Sequence, residues 1–418
     1  MIFLFEIFFN SMKADIDLQI LKKDFEDELK GNILPFWMNE VYDPGRRTFF
    51  GRITNDGKKY PDAPLSAVMV TRILWTFSSA YRLYPKEEYK KMADEAFRIL
   101  QEMFWDDVNG GIYWSVAPDG NVLDSRKQFY AQAFFIYALS EYYLAFDEEF
   151  SKQIAISVFM LIEKYAWDLD NGGYIEARSA DWQEAHDQRL SEKEMDVKKT
   201  MNTHLHILEA YTNLYRIWKT DDLERQLLQI MYIFLETILD PQTHHFKLFF
   251  DEDWTVRSET VSYGHDIEGS WLLYEAASVL KYDGIIEKSD MAVMQMADTA
   301  AREGLGKEGG MHNEKEGETL QEQYDWWPQA EAVIGFFNAY QLTQDDWYLN
   351  LANQSWEFIK KYIIDRKNGD WFWGVNSRLM PLDNDKVNGW KAPYHNGRMC
   401  MEMIRRIKKW KPKDLWEI

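Results

Sequence analysis

Three stretches of the chain repeat one another: "WDDVNGGIYW" from Trp105, "WDLDNGGYIE" from Trp167 and "IDRKNGDWFW" from Ile364. Each places an Asp three residues before Asn-Gly and follows it with aromatic or β-branched residues. That pattern predicts a turn, with glycine available for positive φ, running into a short extended segment. Looser copies lie at "YDPGRRTFFG" from Tyr42, "LDPQTHHFKLFF" from Leu239 and "GLGKEGGMHNE" from Gly304. Counted from Asp43, Asp106, Asp168, Asp240, Leu305 and Asp365, the steps are 63, 62, 72, 65 and 60 residues. Six copies of one period of this size define a repeat architecture and leave little room for any other fold.

Between the turns, apolar residues recur at three- and four-residue spacing, the mark of helix. "SRKQFYAQAFFIYALSEYYLAF", "TMNTHLHILEAYTNLYRIWK" and "AEAVIGFFNAYQLT" show it over more than one face. The 11 prolines mostly lie outside these stretches, as helices require. Each period therefore holds two helices and one Asn-Gly turn with a short β-like excursion. An open solenoid of helix pairs is one solution. Six units with no polar capping repeat favour closure into an all-α ring, an (α/α)6 toroid spanning residues 17–418 as a single catalytic domain. Inner helices would be apolar on most faces and outer ones amphipathic. A functional site belongs at the end of the ring where loops meet inner-helix ends.

Composition excludes several functions. A net charge of −21 repels phosphate backbones, which argues against nucleic acid as a partner. A single cysteine, Cys400, excludes a disulfide scaffold. No segment has 18 uninterrupted apolar residues, so no membrane span is expected. The opening "MIFLFEIFFN" has no basic residue ahead of its apolar run and no small-residue cleavage site, a poor signal peptide. Residues 1–16 read as an extension, with translation expected to start at Met12. The expectation is a soluble, cytoplasmic monomer. Aromatics reach 16%, with 18 Trp, which suits either a large aromatic core or a cleft that stacks on sugar rings.

Eight histidines limit the chemistry: His186, His204, His206, His244, His245, His265, His312 and His395. Asn202 and His206 share a helix face at i, i+4, so His204 points elsewhere. His265 and Glu268, at i, i+3, also share a face, where the carboxylate would orient the imidazole and raise its pKa. His395 falls at the mouth of the last helix. His244 and His245, in a turn, are expected to face solvent. Zinc-type spacings are absent, so no metal is expected. There is no nucleophile elbow and no dinucleotide or P-loop glycine pattern, hence no expected cofactor. Paired carboxylates of a glycosidase remain a rival, although no pair stands out by spacing.

Four motifs, "MNTHLHILEAYTNL", "YGHDIEGSWLL", "WWPQAEA" and "WKAPYHNGRM", together resemble the N-acylglucosamine 2-epimerase superfamily, over about Asp17 to Lys409. The final motif favours its cellobiose branch. The resemblance implies an (α/α)6 barrel that converts a reducing-end glucose into mannose without metal, with a β-1,4-linked disaccharide as partner. Matched motif by motif, it implies His206, His265, His395 and Arg72 as catalytic residues. It implies Tyr130, Asn202, Glu268, Trp327 and Trp390 as binding residues, with Trp254 and Trp326 beside them. An acidic residue ahead of "MNTHLH" is also implied, and Glu194 and Asp196 both qualify.

The chemistry sets its own demands. A sugar's C2 hydrogen is acidic only when C1 is a free aldehyde, so the ring must open. Removing that hydrogen gives a cis-enediolate, and a proton returned to the opposite face inverts C2. Two bases on opposite sides are needed, and His265 and His395 come from different repeats. One is expected neutral and the other protonated at the start, since an ordinary His pKa is about 6.5. Arg72 and His206 would stabilise the negative O1 and O2, and His206 could assist ring opening. A monosaccharide epimerase or aldose–ketose isomerase on the same scaffold, and a non-catalytic sugar-binding protein, are the alternatives.

Overall fold

The computed structural model describes residues 16–192, 194–306 and 308–410. Residues 1–15 of the expected extension, Met12 among them, lie outside that range. Among the described residues, twelve α-helices of eleven residues or more carry the fold. Outer helices are α1 (Leu18–Glu28), α3 (Glu87–Ile99), α5 (Glu149–Tyr165), α7 (Asp221–Ile233), α9 (Asp283–Thr299) and α11 (Asp346–Phe358). Inner helices are α2 (Ala67–Leu83), α4 (Phe129–Phe146), α6 (Met201–Ile217), α8 (Tyr263–Leu280), α10 (Trp326–Thr343) and α12 (Tyr394–Lys409). Each inner helix packs on the next, and α12 returns to α2, so the ring closes. Helix α1 completes the outer layer by packing on α12. The architecture is the (α/α)6 toroid that the period predicts, and among the described residues no helix is long and apolar enough to cross a membrane.

The two layers differ as their sequences require. In α4 every residue from Phe129 to Tyr142 is buried, so "FYAQAFFIYALSEY" has no solvent face to keep polar. In α3 burial follows one stripe, Tyr89, Met92, Ala93 and Ala96, beneath a charged outer face. Outer helices α3, α7, α9 and α11 finish in a five-residue π-type turn, at residues 100–104, 234–238, 300–304 and 359–363. Each then enters the repeat's turn.

The turns are built by their aspartates. Asp106 Oδ1 accepts the backbone N–H of Val108 and of Asn109, both at 3.0 Å. Gly110 and Gly111 take φ of +74° and +72°, a region nearly free of cost only for glycine. The strand residues on either side pair as Trp105 with Ile112, and the pairing recurs at Trp167–Tyr174, Leu239–Phe246, Leu305–Met311 and Ile364–Trp371. The looser sequence copies therefore fold like the clear ones. Inner-helix side chains hold the turns from behind. The fourth residue of α4, α6, α8 and α10 (Gln132, His204, Asp266 and Gln329) accepts the N–H of Ile112, Tyr174, Phe246 and Met311 at 2.7–2.9 Å.

Short strands tie the repeats together where the inner helices begin. The residues entering α2, α4, α6, α8 and α10 pair antiparallel with a strand of the following repeat, as in Lys199–Thr200 with Phe249–Phe250. Ile53 pairs with Val387 and closes this rim. All six inner helices thus start from one face of the ring.

Candidate active site

Most of the candidate site side chains come from the first six residues of the inner helices, and Trp390 from the loop ahead of α12. The sixth residue is Arg72 in α2, Phe134 in α4, His206 in α6, Glu268 in α8 and Glu331 in α10. The second is Tyr130, Asn202, Trp327 and His395 in α4, α6, α10 and α12. Residues four apart lie on one helix face, so the two sets form two tiers about one axis. Most of this interior is buried, but Asn202, His265, Trp327 and Trp390 remain partly open. They mark the cleft.

Trp327 packs against two imidazoles, its ring centroid 4.7 Å from His265 and 5.7 Å from His395. Gly264 permits this: a Cβ there would lie 2.5 Å from the indole. His395 Nδ1 lies 2.7 Å from Glu331 Oε1, and Trp271 donates to the other oxygen of that carboxylate. His206 Nδ1 lies 2.9 Å from Glu209 Oε2, while its ring packs on Tyr130 and Phe134. Arg72 donates to the Trp390 carbonyl at 2.7 Å and to Tyr130 Oη at 3.0 Å. Its Nε, buried, has no partner among the described residues. Trp390, 5.9 Å from Tyr130 and 5.8 Å from Trp114, extends an aromatic wall beside it.

Beneath the histidines lies an ionic network whose key members sequence reasoning missed. The Arg398 guanidinium bonds Glu209, Glu268, Glu331 and the Tyr394 hydroxyl. Glu209 sits three residues after His206 and Arg398 three after His395. The spacing that singled out Glu268 was there to find them. Glu268, Glu331 and His395 offer ligand atoms within 4.8 Å of one another, a set that could hold a cation. Arg398 already places a positive charge on both carboxylates, and neither is free to act as one of a glycosidase pair.

Several expectations change. His265 is held not by Glu268, which turns to Arg398, but by Ser262, whose Oγ lies 2.8 Å from its Nδ1. Nor is its pKa raised. Burial, with His206 adding to it, pushes His265 down to about 3. Burial and the cations Arg72 and Arg398 push His395 well below the ordinary value. Burial thus favours the neutral form of both imidazoles, where one was expected to start protonated. Burial, with Glu331 adding to it, pushes the Glu268 carboxyl up to about 7. Burial likewise raises Glu331, against the pull of Arg398.

Trp326 is buried, its ring 4.4 Å from Trp373 and 6.4 Å from His395, so it backs the histidine. Trp254 is occupied elsewhere: its indole donates to the Asn171 carbonyl and its ring packs on His204. Trp182 treats the Asn109 carbonyl the same way one repeat earlier. His245 is buried rather than solvent-facing, because Asp266 and Glu303 bracket its ring. Of the two acidic candidates, Glu194 reaches Tyr130 with its field and is pushed up to about 7 by burial. Asp196 instead accepts the Gln188 N–H.

A closed ring of helix pairs with three imidazoles and an arginine gathered at the inner-helix starts defines an α/α-barrel with one candidate active site. The sequence profile of the N-acylglucosamine 2-epimerase family matches residues 48–398, and the chain belongs to that family. It is 46% identical over 389 residues to the cellobiose 2-epimerase of Bacteroides fragilis, covering 92% of this chain and 99% of that protein. It is 36% identical over 393 residues to the cellobiose 2-epimerase of Dictyoglomus turgidum, covering 94% and 100%. The solved cellobiose 2-epimerase of Bacillus thermoamylovorans superposes with a TM-score of 0.90 at 36% identity, over 93% of this chain and all of that one.

Proposed function

We propose that this enzyme inverts C2 of the reducing-end glucose of cellobiose, with lactose as a second substrate, through ring opening and a cis-enediolate. The observation that carries the reading is the pair of imidazoles, His265 and His395, brought from different helices onto one Trp327 ring, 4.7 and 5.7 Å from it. A neutral imidazole can accept the C2 proton at once. The proton for the opposite face is returned through His395 Nε2, with a proton relayed to its Nδ1 by way of Glu331, 2.7 Å away. His265 and His395 exchange roles when the reaction reverses. Arg72, charged and short of one partner, faces the negative oxygens of the enediolate, and His206 assists ring opening. Six inner-helix N-termini at this rim add positive potential where the anion forms. Tyr130, Asn202, Trp327 and Trp390 line the sugar site, Trp390 stacking on the second ring.

Incubation with cellobiose in heavy water tests this reading. Epimerisation yields glucosyl-mannose carrying deuterium at C2. Released glucose would mean hydrolysis, a ketose product would mean isomerisation, and unchanged unlabelled cellobiose would mean binding alone. Each of those three outcomes refutes the proposal.

A further inference from the structure

Three inner helices begin with a hydroxyl residue at the N-cap, and one of them behaves differently. Ser66, ahead of α2, accepts the N–H of Met69 at 3.0 Å. Thr200, ahead of α6, accepts the N–H of Thr203 at 3.1 Å. Both are ordinary caps that satisfy an orphan donor. Ser262, ahead of α8, makes no cap bond. Its Oγ instead meets Nδ1 of His265, three residues on. The two opposed histidines therefore have unlike partners on Nδ1, a neutral hydroxyl for His265 and a carboxyl group for His395.

We propose, resting on the epimerase reading above, that Ser262 is a positioning residue: its hydroxyl fixes the His265 ring and turns Nε2 to the substrate without adding charge. A hydroxyl accepts from Nδ1–H, which leaves the Nε2 lone pair free to take the C2 proton. After transfer the imidazolium still donates Nδ1–H to the same oxygen, so nothing around it has to reorganise. A carboxylate in that place would stabilise the imidazolium and hold the proton after it should be returned. Burial favours the neutral form of His265, with His206 adding to it, and three groups from other helices face the ring. They are His206 from α6, His395 from α12 and the uncharged Trp327 ring from α10, while Glu268 on its own helix is bonded to Arg398.

Three variants of the full-length enzyme test this. In Ser262→Ala, kcat should fall at least tenfold with KM within twofold and Tm nearly unchanged, because the hydroxyl caps nothing. Ser262→Thr, which keeps the hydroxyl, should recover most of the rate. Ser262→Asp separates the roles, since Asp is a good N-cap. It should move the acid limb of the kcat/KM pH profile upward relative to the wild type. ¹⁵N-histidine NMR reads the His265 tautomer without any turnover, and its resonances should move in Ser262→Ala. A wild-type rate in Ser262→Ala, or a Ser262→Asp profile identical to wild type, overturns the inference while leaving the epimerase reading intact. A wild type without epimerase activity refutes the epimerase reading instead, and the NMR arm still judges the Ser262–His265 contact.

Discussion

Lys199 places its ammonium 2.7 Å from Asp168, and neither side chain sees appreciable solvent. Asp168 is the residue that organises the Asn-Gly turn, accepting from the backbone of Asp170 and Asn171. Lys199 also donates to the carbonyl of Gly172, in the same turn, and to that of Glu252, in the following repeat. The same relationship joins Lys127 to Asp106 and Lys386 to Asp365. A buried lysine thus rivets a turn in three of the six repeats.

Breaking one rivet should be costly. Asp168→Ala leaves an ammonium buried without its counter-charge, an error worth about 3–5 kcal/mol. The double variant Asp168→Ala/Lys199→Met should recover part of that loss, measured as the urea midpoint. A double variant less stable than Asp168→Ala would show that the lysine's carbonyl contacts, not the pair, carry the effect.

Single substitutions His265→Ala and His395→Ala should each cut epimerisation by about 10²–10⁴-fold, the usual contribution of a general acid or base. The double variant should be scarcely slower than either, because groups acting as a unit are strongly non-additive. One single variant should still exchange the C2 hydrogen of one epimer with solvent, by retrieving the proton on its own face. Near-normal turnover in either single variant would remove that histidine from the mechanism.

Trp390 and Trp254 should part company. Trp390→Ala should raise KM for cellobiose several-fold with a smaller change in kcat, since stacking contributes about 0.5–1.5 kcal/mol beyond area burial. Trp254→Ala should lower Tm with little effect on KM, because its indole pins the Asn171 turn. Steady-state kinetics and a thermal melt on the two variants decide between the roles.

Stability should fall as pH rises from 6.5 to 8.5. Glu176, wholly buried, accepts from the Thr200 N–H and from the hydroxyls of Thr200 and Thr203. Burial pushes its carboxyl up to about 8. The folded chain keeps this proton after the unfolded chain, with its ordinary value near 4.5, has lost it. The stabilisation is full below 4.5 and is lost as pH climbs through about 8. Glu163 and Glu268, each pushed up to about 7 by burial, act in the same sense. His204 and His265, pushed down to about 4 and 3, have largely made their contribution below this window. Glu176→Gln should flatten the fall in Tm; an unchanged slope would mean that this carboxyl is not what titrates.

The ring was legible because its punctuation is local. Asp, Asn-Gly and the following aromatics make a turn with no help from distant chain, and six turns at one spacing imply six helix pairs. The histidines were legible from motifs on single helices. What escaped depends on closure. Arg398 meets Glu209 across 189 residues, and only the finished ring brings α12 against α6. Same-face spacing paired His265 with Glu268, but the stronger pull of Arg398 on that carboxylate cannot be seen from one helix. His245 was misjudged for a related reason: a turn residue was assumed wet, whereas the fourth position of α8 reaches back to bury it.

Helix α12 supplies both His395 and Arg398, and it is also the piece that fits between α10 and α2. During synthesis it is the last of the twelve helices to leave the ribosome. Until it docks, the chain lacks His395 beside Glu331, the guanidinium under the carboxylates and a sealed interior. Closure of the ring and assembly of the ionic network beneath the histidines then arrive in one event. A circular permutant that moves the chain ends into the α10–α12 connection would begin with that helix instead, and the order in which reactivity and closure are acquired would be open to rewriting.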